Sequence, residues 1–470
     1  MAKRKKRKRG NGLALSEPIV RIRTKIEFLN EKGAGVAFHQ RHKLTVEKTL
    51  PGEEVLVEYR PERPRKDRIV LKKLLEQAPD RVEPPCPFFD ECGGCHLQHM
   101  AYPLQLRFKQ QIIQRLLLAY PSLRSVKVAP VVGMPEPFYY RNKTQMPFQI
   151  KGDQVIYGLY RSGTHFLVPI DRCLVESRDA NAVLRIIRDW ANRSNIPIYD
   201  ERAHEGILRH VVVRKGMFTN QVMVILVVTT QEVPNWKGAL QELKNHLPGL
   251  TSVYLNIQPR RTNVILGPEN ILIWGEPFIY EKIGPLTFRI YPNTFFQINS
   301  VQTVRLLEKL TEIAEFSPSE SVLDLFSGVG TIALYIARRV RHVVGIESSE
   351  EAVQAAIQNA GDNQISNVEF QIGDAEAYLG SPESSAARFT TVIVDPPRKG
   401  LDERFIHQLV QLQPEKIVYV SCNPKTLVRD LEIFTRLGYT TDTIYPFDMF
   451  PQTYHVESLT LLRRSNQSHT

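Results

Sequence analysis

The chain predicts an α/β protein with a small β-barrel at its N-terminal side, an α+β middle and a doubly wound parallel sheet beyond residue 290. Three observations predict it. Residues 18–75 alternate short β-rich runs with Gly- and Pro-containing turns, as in "GAGVAFH" and "LPGEEVLVEYR". Residues 125–290 mix β runs such as "QVMVILVVTT" with helical apolar spacing such as "ANAVLRIIRDWANRS". From residue 291 the runs "SVLDLF", "HVVGIE", "NVEFQIG", "TTVIVD" and "KIVYVS" recur between helix-sized segments, the alternation of a parallel sheet with helices on both faces.

With 470 residues and 42% apolar composition the chain has core for two or three domains. No stretch approaches a membrane span and the N-terminus lacks the apolar centre of a signal peptide, so no membrane is expected and the cytoplasm is the expected compartment. The net charge of +11 is concentrated: residues 1–83 carry 22 Lys plus Arg against 12 Asp plus Glu. Such a surface attracts polyanions by releasing counterions, which makes nucleic acid the first partner to consider. The heptad "KRKKRKR" at 3–9 reads equally as a solvated basic tail, and a nuclear address is a further reading. The organisation expected is a basic tail over 1–15, a barrel over 16–78, a central α+β domain over 79–290 and a catalytic domain over 291–465. "GAGVAF" and "LPGEEVLVE" make the barrel resemble a TRAM domain, an OB-like RNA-binding fold, over about 60 residues. A small barrel without a ligand is the alternative.

In the last domain "DLFSGVGTIA" at 324–333 is a strand, a Gly-rich turn and a helix start. Gly328 and Gly330 permit a tight turn and close approach of a ligand, and Glu347 at the next strand end suits a ribose in either a dinucleotide or an S-adenosylmethionine site. Later strand ends separate the two. Asp374 in "GDAE" suits an adenine amino group, and "DPPRKG" holds Asp395 at a strand tip on a loop stiffened by two prolines. Asp324, Glu347, Asp374 and Asp395 together resemble a class I methyltransferase using S-adenosylmethionine, against a reading in which the carboxylates only cap helices.

"KIVYVSCNP" delivers Cys422 to the same sheet edge as Asp395. A lone thiol there is more often a small hydrophobe. The set "DPPRKG", "VSCNPKTLVRD" and "YHVESLTLL" resembles the RNA uracil-5-methyltransferase family over the last 180 residues or so, in order and at compatible separations. The resemblance implies that Cys422 is the nucleophile adding to uracil C6, and that Glu457 is the base removing the C5 proton. It also implies that Gln297 in "NTFFQIN" contacts cofactor or target base, and that Phe326 and Thr331 line the cofactor pocket, where the family often has Asn at the latter position. Phe295 and Phe296 are either core or a slot for a flipped base. His455 is read as structural.

Four cysteines remain. Cys92-Gly-Gly-Cys95-His96 matches a haem-attachment string, but that chemistry belongs outside the cytoplasm and leaves Cys86 unused. C-x₅-C-x₂-C with a distant Cys173 supplies four thiolates for zinc or a [4Fe–4S] cluster. The family resemblance favours the cluster, in a structural role tying two segments together. The chain is thus most like the 23S ribosomal RNA branch of the family, with structured RNA as partner and no obligate protein partner evident. The alternatives are a transfer RNA T-loop enzyme and a non-catalytic RNA-binding assembly factor.

Overall fold

A computed structural model describes residues 19–60 and 69–465, so the basic tail expected over 1–15 lies outside the described residues. The chain divides into two compact units, one of residues 1–83 with 99–101, the other of residues 84–98 with 102–470.

The first unit holds two three-stranded antiparallel sheets. One pairs Val20–Lys25 with Glu54–Tyr59 and the latter with Val70–Glu76; the other joins Phe28–Leu29, Gly35–His39 and His42–Val46. Alternation puts Val55, Val57 and Tyr59 inward, where they share a core with Ile26 of the connecting turn and with Ala37, Leu44 and Val46 from the other sheet. The outward arginines of the first strand are answered across it: Arg21 donates to Glu58 at 2.9 Å and Arg23 pairs with Glu54. Cross-strand pairs of this kind support the sheet and spend cationic charge locally.

The second unit contains a seven-stranded sheet in the order Leu167–Pro169, Gln154–Tyr160, Lys143–Lys151, Leu208–Lys215, Val222–Val228, Leu250–Ile257, Glu269–Gly275. Val222–Val228 is buried along its whole length, as the run of β-branched residues demands, and helix Arg178–Arg193 contributes Val183, Leu184, Ile187 and Trp190 to the core it shares.

The other large sheet ends in the residues that the sequence marks as candidate site residues. Its order is Val368–Ile372, His342–Glu347, Ser321–Leu325, Thr391–Val394, Lys416–Ser421, Glu457–Arg464, Thr443–Phe447 and Lys127–Val128. The first five strands are mutually parallel, and Glu457–Arg464 runs antiparallel between its neighbours. Strand order reverses between Ser321–Leu325 and Thr391–Val394, so a ligand crevice is expected beyond the carboxyl ends of those strands. Helix Tyr102–Leu117 buries Ile113 and Leu117 in the same core as Leu427, Val428 and Leu431 of helix Pro424–Arg436. That packing ties the central segment to the catalytic sheet. Among the described residues no helix is long and apolar enough to cross a membrane.

Candidate active site

The Gly-rich turn follows directly from Ser321–Leu325. Phe326 adopts φ +69°, a left-handed conformation disfavoured for a bulky side chain, and its ring stacks on Phe405 at 5.7 Å. Gly328 (φ +56°) faces open space, whereas a Cβ on Gly330 (φ +82°) would stand 2.7 Å from the Phe370 ring. The first glycine therefore leaves room for a ligand and the second serves packing. Glu347 accepts from the Gly328 N–H at 3.1 Å and from the Ser349 N–H at 2.8 Å, which fixes its carboxylate over the turn. Asp374 is exposed and caps helix Ala375–Leu379, accepting from the Glu376 and Ala377 N–H groups at 3.0 Å. The capping role is thus real for this residue.

Asp324 is buried at 1% exposure and accepts from the Ala333 N–H at 3.1 Å. Its other oxygen, Oδ1, and Ser327 Oγ are buried without a hydrogen-bond partner among the described residues. Orphaned polar atoms at the mouth of a Gly turn are what a polar cofactor would satisfy, so the residues fit an S-adenosylmethionine site. Burial, then the nearby Asp395 and Glu347, push the Asp324 carboxyl up to about 8. The folded state therefore favours its protonated form; that stability is present below the ordinary value of 3.8 and is lost as pH rises through about 8. Asp324→Asn should gain thermal midpoint over wild type, in cofactor-free protein, between about pH 5 and pH 9. A gap in midpoint that does not widen with pH would sink this assignment.

Gln297 is held by its backbone and aimed by its side chain. Asn142 donates from its side chain to the Gln297 carbonyl at 2.8 Å and from its N–H to the Ile298 carbonyl at 3.0 Å. Buried Arg214 donates to the carbonyls of Pro292, at 3.1 Å, and Thr294. So fixed, Gln297 Nε2 donates to Asp395 Oδ2 at 3.3 Å. Gln297, Phe326, Gly328, Thr331 and Asp395 line one cavity of about 50 Å³. Phe296 is core at 5% exposure while Phe295 is 68% exposed, which divides the pair the sequence left undivided.

Cys422 and Glu457 come from adjacent strands, since Ser421 and Ser458 are opposite one another in the antiparallel register. Asn423, the cap of helix Pro424–Arg436, donates to the Arg398 carbonyl at 2.9 Å and so joins the thiol's loop to the Asp-Pro-Pro loop. Burial, then the charges of Glu457 and Asp395, push the Cys422 thiol up to about 11, with Arg398 acting against them. Glu457, 4% exposed, is pushed well above the ordinary carboxylate range by burial and by Asp395, again opposed by Arg398. Burial raises Asp395 itself to about 7. Two acids and a thiol thus stand near enough to act on one another's protons, with the exposed Arg398 near enough to oppose the shifts of Cys422 and Glu457, an arrangement suited to holding and passing protons. Arg398 was named in the sequence only as part of the loop; its electrostatic position is visible in three dimensions alone.

The segment leading to Glu457 is pinned from distant parts of the unit. Lys109 and Asp448 form an ion pair with both side chains wholly buried, Lys109 also donates to the Phe450 carbonyl at 3.1 Å, and the Tyr102 hydroxyl donates to Asp448 at 2.7 Å. Gln452, at φ +70°, accepts on its carbonyl from the His96 and Leu97 N–H groups at 2.9 and 3.0 Å. His455 packs on Tyr454 with ring centroids 4.4 Å apart, and burial, then the Arg398 charge, lower it to about 4. That keeps the histidine neutral.

The cysteine-rich loop docks beside Cys173. Cys92, Cys95 and Cys173 belong to one apolar cluster with Phe88, Tyr140 and Leu159, and Cys95 is close enough to Cys92 and Cys86 to be affected by their charge. The Gly93 and Gly94 spacers are required by fit: a Cβ would lie 2.8 Å from the Tyr160 carbonyl oxygen at the first and 2.8 Å from Leu159 at the second. The Gly94 N–H donates to Cys92 Sγ at 3.3 Å. Asn181 clamps Cys173 from both sides, accepting its N–H at 2.7 Å and donating to its carbonyl at 3.0 Å. Among the described residues, no group of three or more His, Cys, Asp or Glu side chains stands in an array able to hold a metal ion.

Comparison with known proteins bears on this geometry. The family model described as tRNA (Uracil-5-)-methyltransferase matches residues 101–465. A protein of Halalkalibacterium halodurans named as an uncharacterized RNA methyltransferase is 39% identical over 95% of this chain and 97% of its own length. A like-named protein of Caldanaerobacter subterraneus subsp. tengcongensis is 40% identical over 93% and 97%. The crystal structure of Pyrococcus abyssi tRNA (uracil-54, C5)-methyltransferase in complex with S-adenosyl-L-homocysteine matches with a TM-score of 0.75 and 33% identity, covering 94% of this chain and 99% of that one.

Proposed function

The chain belongs to the tRNA (uracil-5-)-methyltransferase family and is an S-adenosylmethionine-dependent RNA methyltransferase, and from that premise we propose that it converts a uridine of structured RNA to 5-methyluridine through a covalent adduct on Cys422. The observation that carries this reading is the register that sets Cys422 and Glu457 at adjoining ends of two paired strands, near enough to Asp395 for its charge to act on both, while Gln297 of the cofactor-side cavity reaches Asp395 at 3.3 Å. S-adenosylmethionine, bound among Asp324, Ser327, Gly328, Glu347, Thr331 and Asp374, supplies the methyl group. Everything else is done by side chains. The Cys422 thiol passes its proton to the Asp395 carboxylate, and the thiolate so formed adds to C6 of the uracil and leaves enolate character at C5, which makes that carbon nucleophilic. After methylation Glu457 removes the C5 proton, the electron pair re-forms the C5=C6 double bond, and the thiolate leaves C6. Arg398 offsets the negative charge that accumulates, and Gln297 with Asp395 positions the base.

The target RNA has two readings. The concentration of basic charge before residue 84 and the four cysteines support 23S ribosomal RNA. The likeness to a protein named for uracil-54 of tRNA supports the T-loop of transfer RNA. Mapping 5-methyluridine in both RNAs, from cells with and without this protein, decides: a residue lost from one of them on deletion names the substrate, and loss from neither overturns uridine methylation.

The same reading includes a structural [4Fe–4S] cluster on Cys86, Cys92, Cys95 and Cys173. Support comes from Cys92, Cys95 and Cys173 of two segments in one apolar cluster, Cys86 near enough for its charge to act on Cys95, glycine spacers that a side chain would crowd, and an N–H donated to sulfur, although among the described residues the side chains as they stand form no array able to hold a metal ion. Anaerobically purified protein should be brown with about four iron per chain, and Cys173→Ser should lose the iron while Cys422→Ser keeps it. A colourless protein holding a single zinc would count against the cluster.

Removing residues 1–75 should weaken RNA binding and flatten its dependence on salt, because most of the surplus positive charge goes with them, while S-adenosylhomocysteine binding persists. An unchanged salt slope would move RNA binding to the remaining chain.

A further inference from the structure

The strand Lys143–Lys151 begins with a cation that no acid answers. Lys143 is part-buried, and among the described residues its ammonium makes neither a hydrogen bond nor an ion pair. The charged groups that act on it are cations. Arg214 lies opposite it in the antiparallel register, and Arg141 is two residues away. Burial, then these two charges, lower the amine to about 7. The carboxylates near its two cationic neighbours act on those neighbours: Glu176 pairs with Arg141 at 3.1 Å, and the charge of Glu351 acts on Arg214. Arg214 itself is committed to the carbonyls of Pro292 and Thr294. A part-buried amine facing a buried guanidinium gives up its proton readily, and an anion brought by a ligand would favour the charged ammonium again.

The position of this charge points to the ligand. Lys143 follows Asn142, which carries the Gln297 segment, and Gln297 reaches Asp395. Arg214 supports the same segment through the Pro292 and Thr294 carbonyls. An anion at Lys143 would therefore lie next to the loop that meets the target base. An RNA substrate places phosphodiesters beside every base, and a nucleotide turned out of its stack must be held by the phosphates flanking it. A compact ammonium suits that contact.

We propose that Lys143, backed by Arg214, binds the RNA phosphate next to the uridine that enters the Asp395, Cys422 and Glu457 pocket. The site rests on the reading of the protein as an RNA uridine methyltransferase. It adds a point of substrate contact on the central sheet, outside the residues that touch cofactor or reacting atoms.

The test uses the full chain with S-adenosylhomocysteine and an unmodified RNA hairpin carrying uridine in its loop. Wild type, Lys143→Arg and Lys143→Met are titrated across salt. Lys143→Met should bind about tenfold more weakly, as expected for one lost charge-assisted contact, with its salt slope reduced by roughly 0.7–0.9. Lys143→Arg should keep the slope, and S-adenosylhomocysteine affinity should be equal in all three. Equal RNA affinity and slope for Lys143→Met would overturn the site. A second measurement needs no variant: acylation of Lys143 by acetic anhydride in wild type, read by mass spectrometry, should be suppressed by saturating hairpin. Undiminished acylation would overturn it equally. Both readouts report binding, so a product assay showing methylation of another base would reject the uridine reading while leaving these results as they stand.

Discussion

Cys422→Ala protein should form no 5-methyluridine and no covalent complex with RNA, while binding S-adenosylhomocysteine as wild type does. Without addition at C6 the uracil C5 carbon has no enolate character and cannot take the methyl group. The geometry makes this a sharp test, because the thiol stands at the end of a strand whose every residue is buried and its removal leaves the sheet intact. Burial and the two neighbouring acids keep the resting group a thiol, raised to about 11, so an unoccupied pocket does not carry a standing nucleophile. Residual methylation in the alanine variant would reject the adduct mechanism outright.

Glu457→Gln should fail at a different point. Addition and methyl transfer remain open to it, but loss of the C5 proton should slow by about 10²–10⁴-fold, the usual worth of a positioned base. Methylated RNA should then stay attached to the protein. On a denaturing gel with RNA labelled through the transferred methyl group, this variant should give a slow labelled band that Cys422→Ala/Glu457→Gln cannot form. Normal turnover would assign the base to another group, with Asp395 as the nearest candidate by charge. Glutamine is close in shape to the buried glutamate and avoids placing a new charge there, so a folding defect is not expected to mimic the result.

The parts of this site that could be read in the sequence are those carried by short-range pattern. The Gly turn, the acids at strand ends and the thiol after "KIVYVS" each lie within ten residues of the run that announces them. What could not be read is pairing at long range. Lys109 meets Asp448 across 339 residues, and neither an amphipathic helix nor "FDMF" announces a buried ion pair. Lys127–Val128 closes the edge of the catalytic sheet beside Thr443–Phe447, yet a two-residue strand has no period to detect. Backbone conformation was equally hidden: the left-handed Phe326 and Gln452 are residues for which sequence favours the opposite choice. Asp374 shows the converse, because its helix cap follows from "GDAE" as directly as the adenine contact does.

The order of the sheet also constrains how the enzyme comes into being. Glu457–Arg464 is made after every other strand of the sheet, yet it must enter between Lys416–Ser421 and Thr443–Phe447. Until it does, a nascent chain exposes two unpaired strand edges, a state prone to association and a natural point for chaperone contact. The delay has a chemical benefit. The strand that pairs beside the one ending at Cys422 is the one that brings Glu457, so under the proposed mechanism the nucleophile and the group that releases it would become competent in the same folding event. A partly synthesised chain is thereby prevented from capturing RNA that it has no means of letting go.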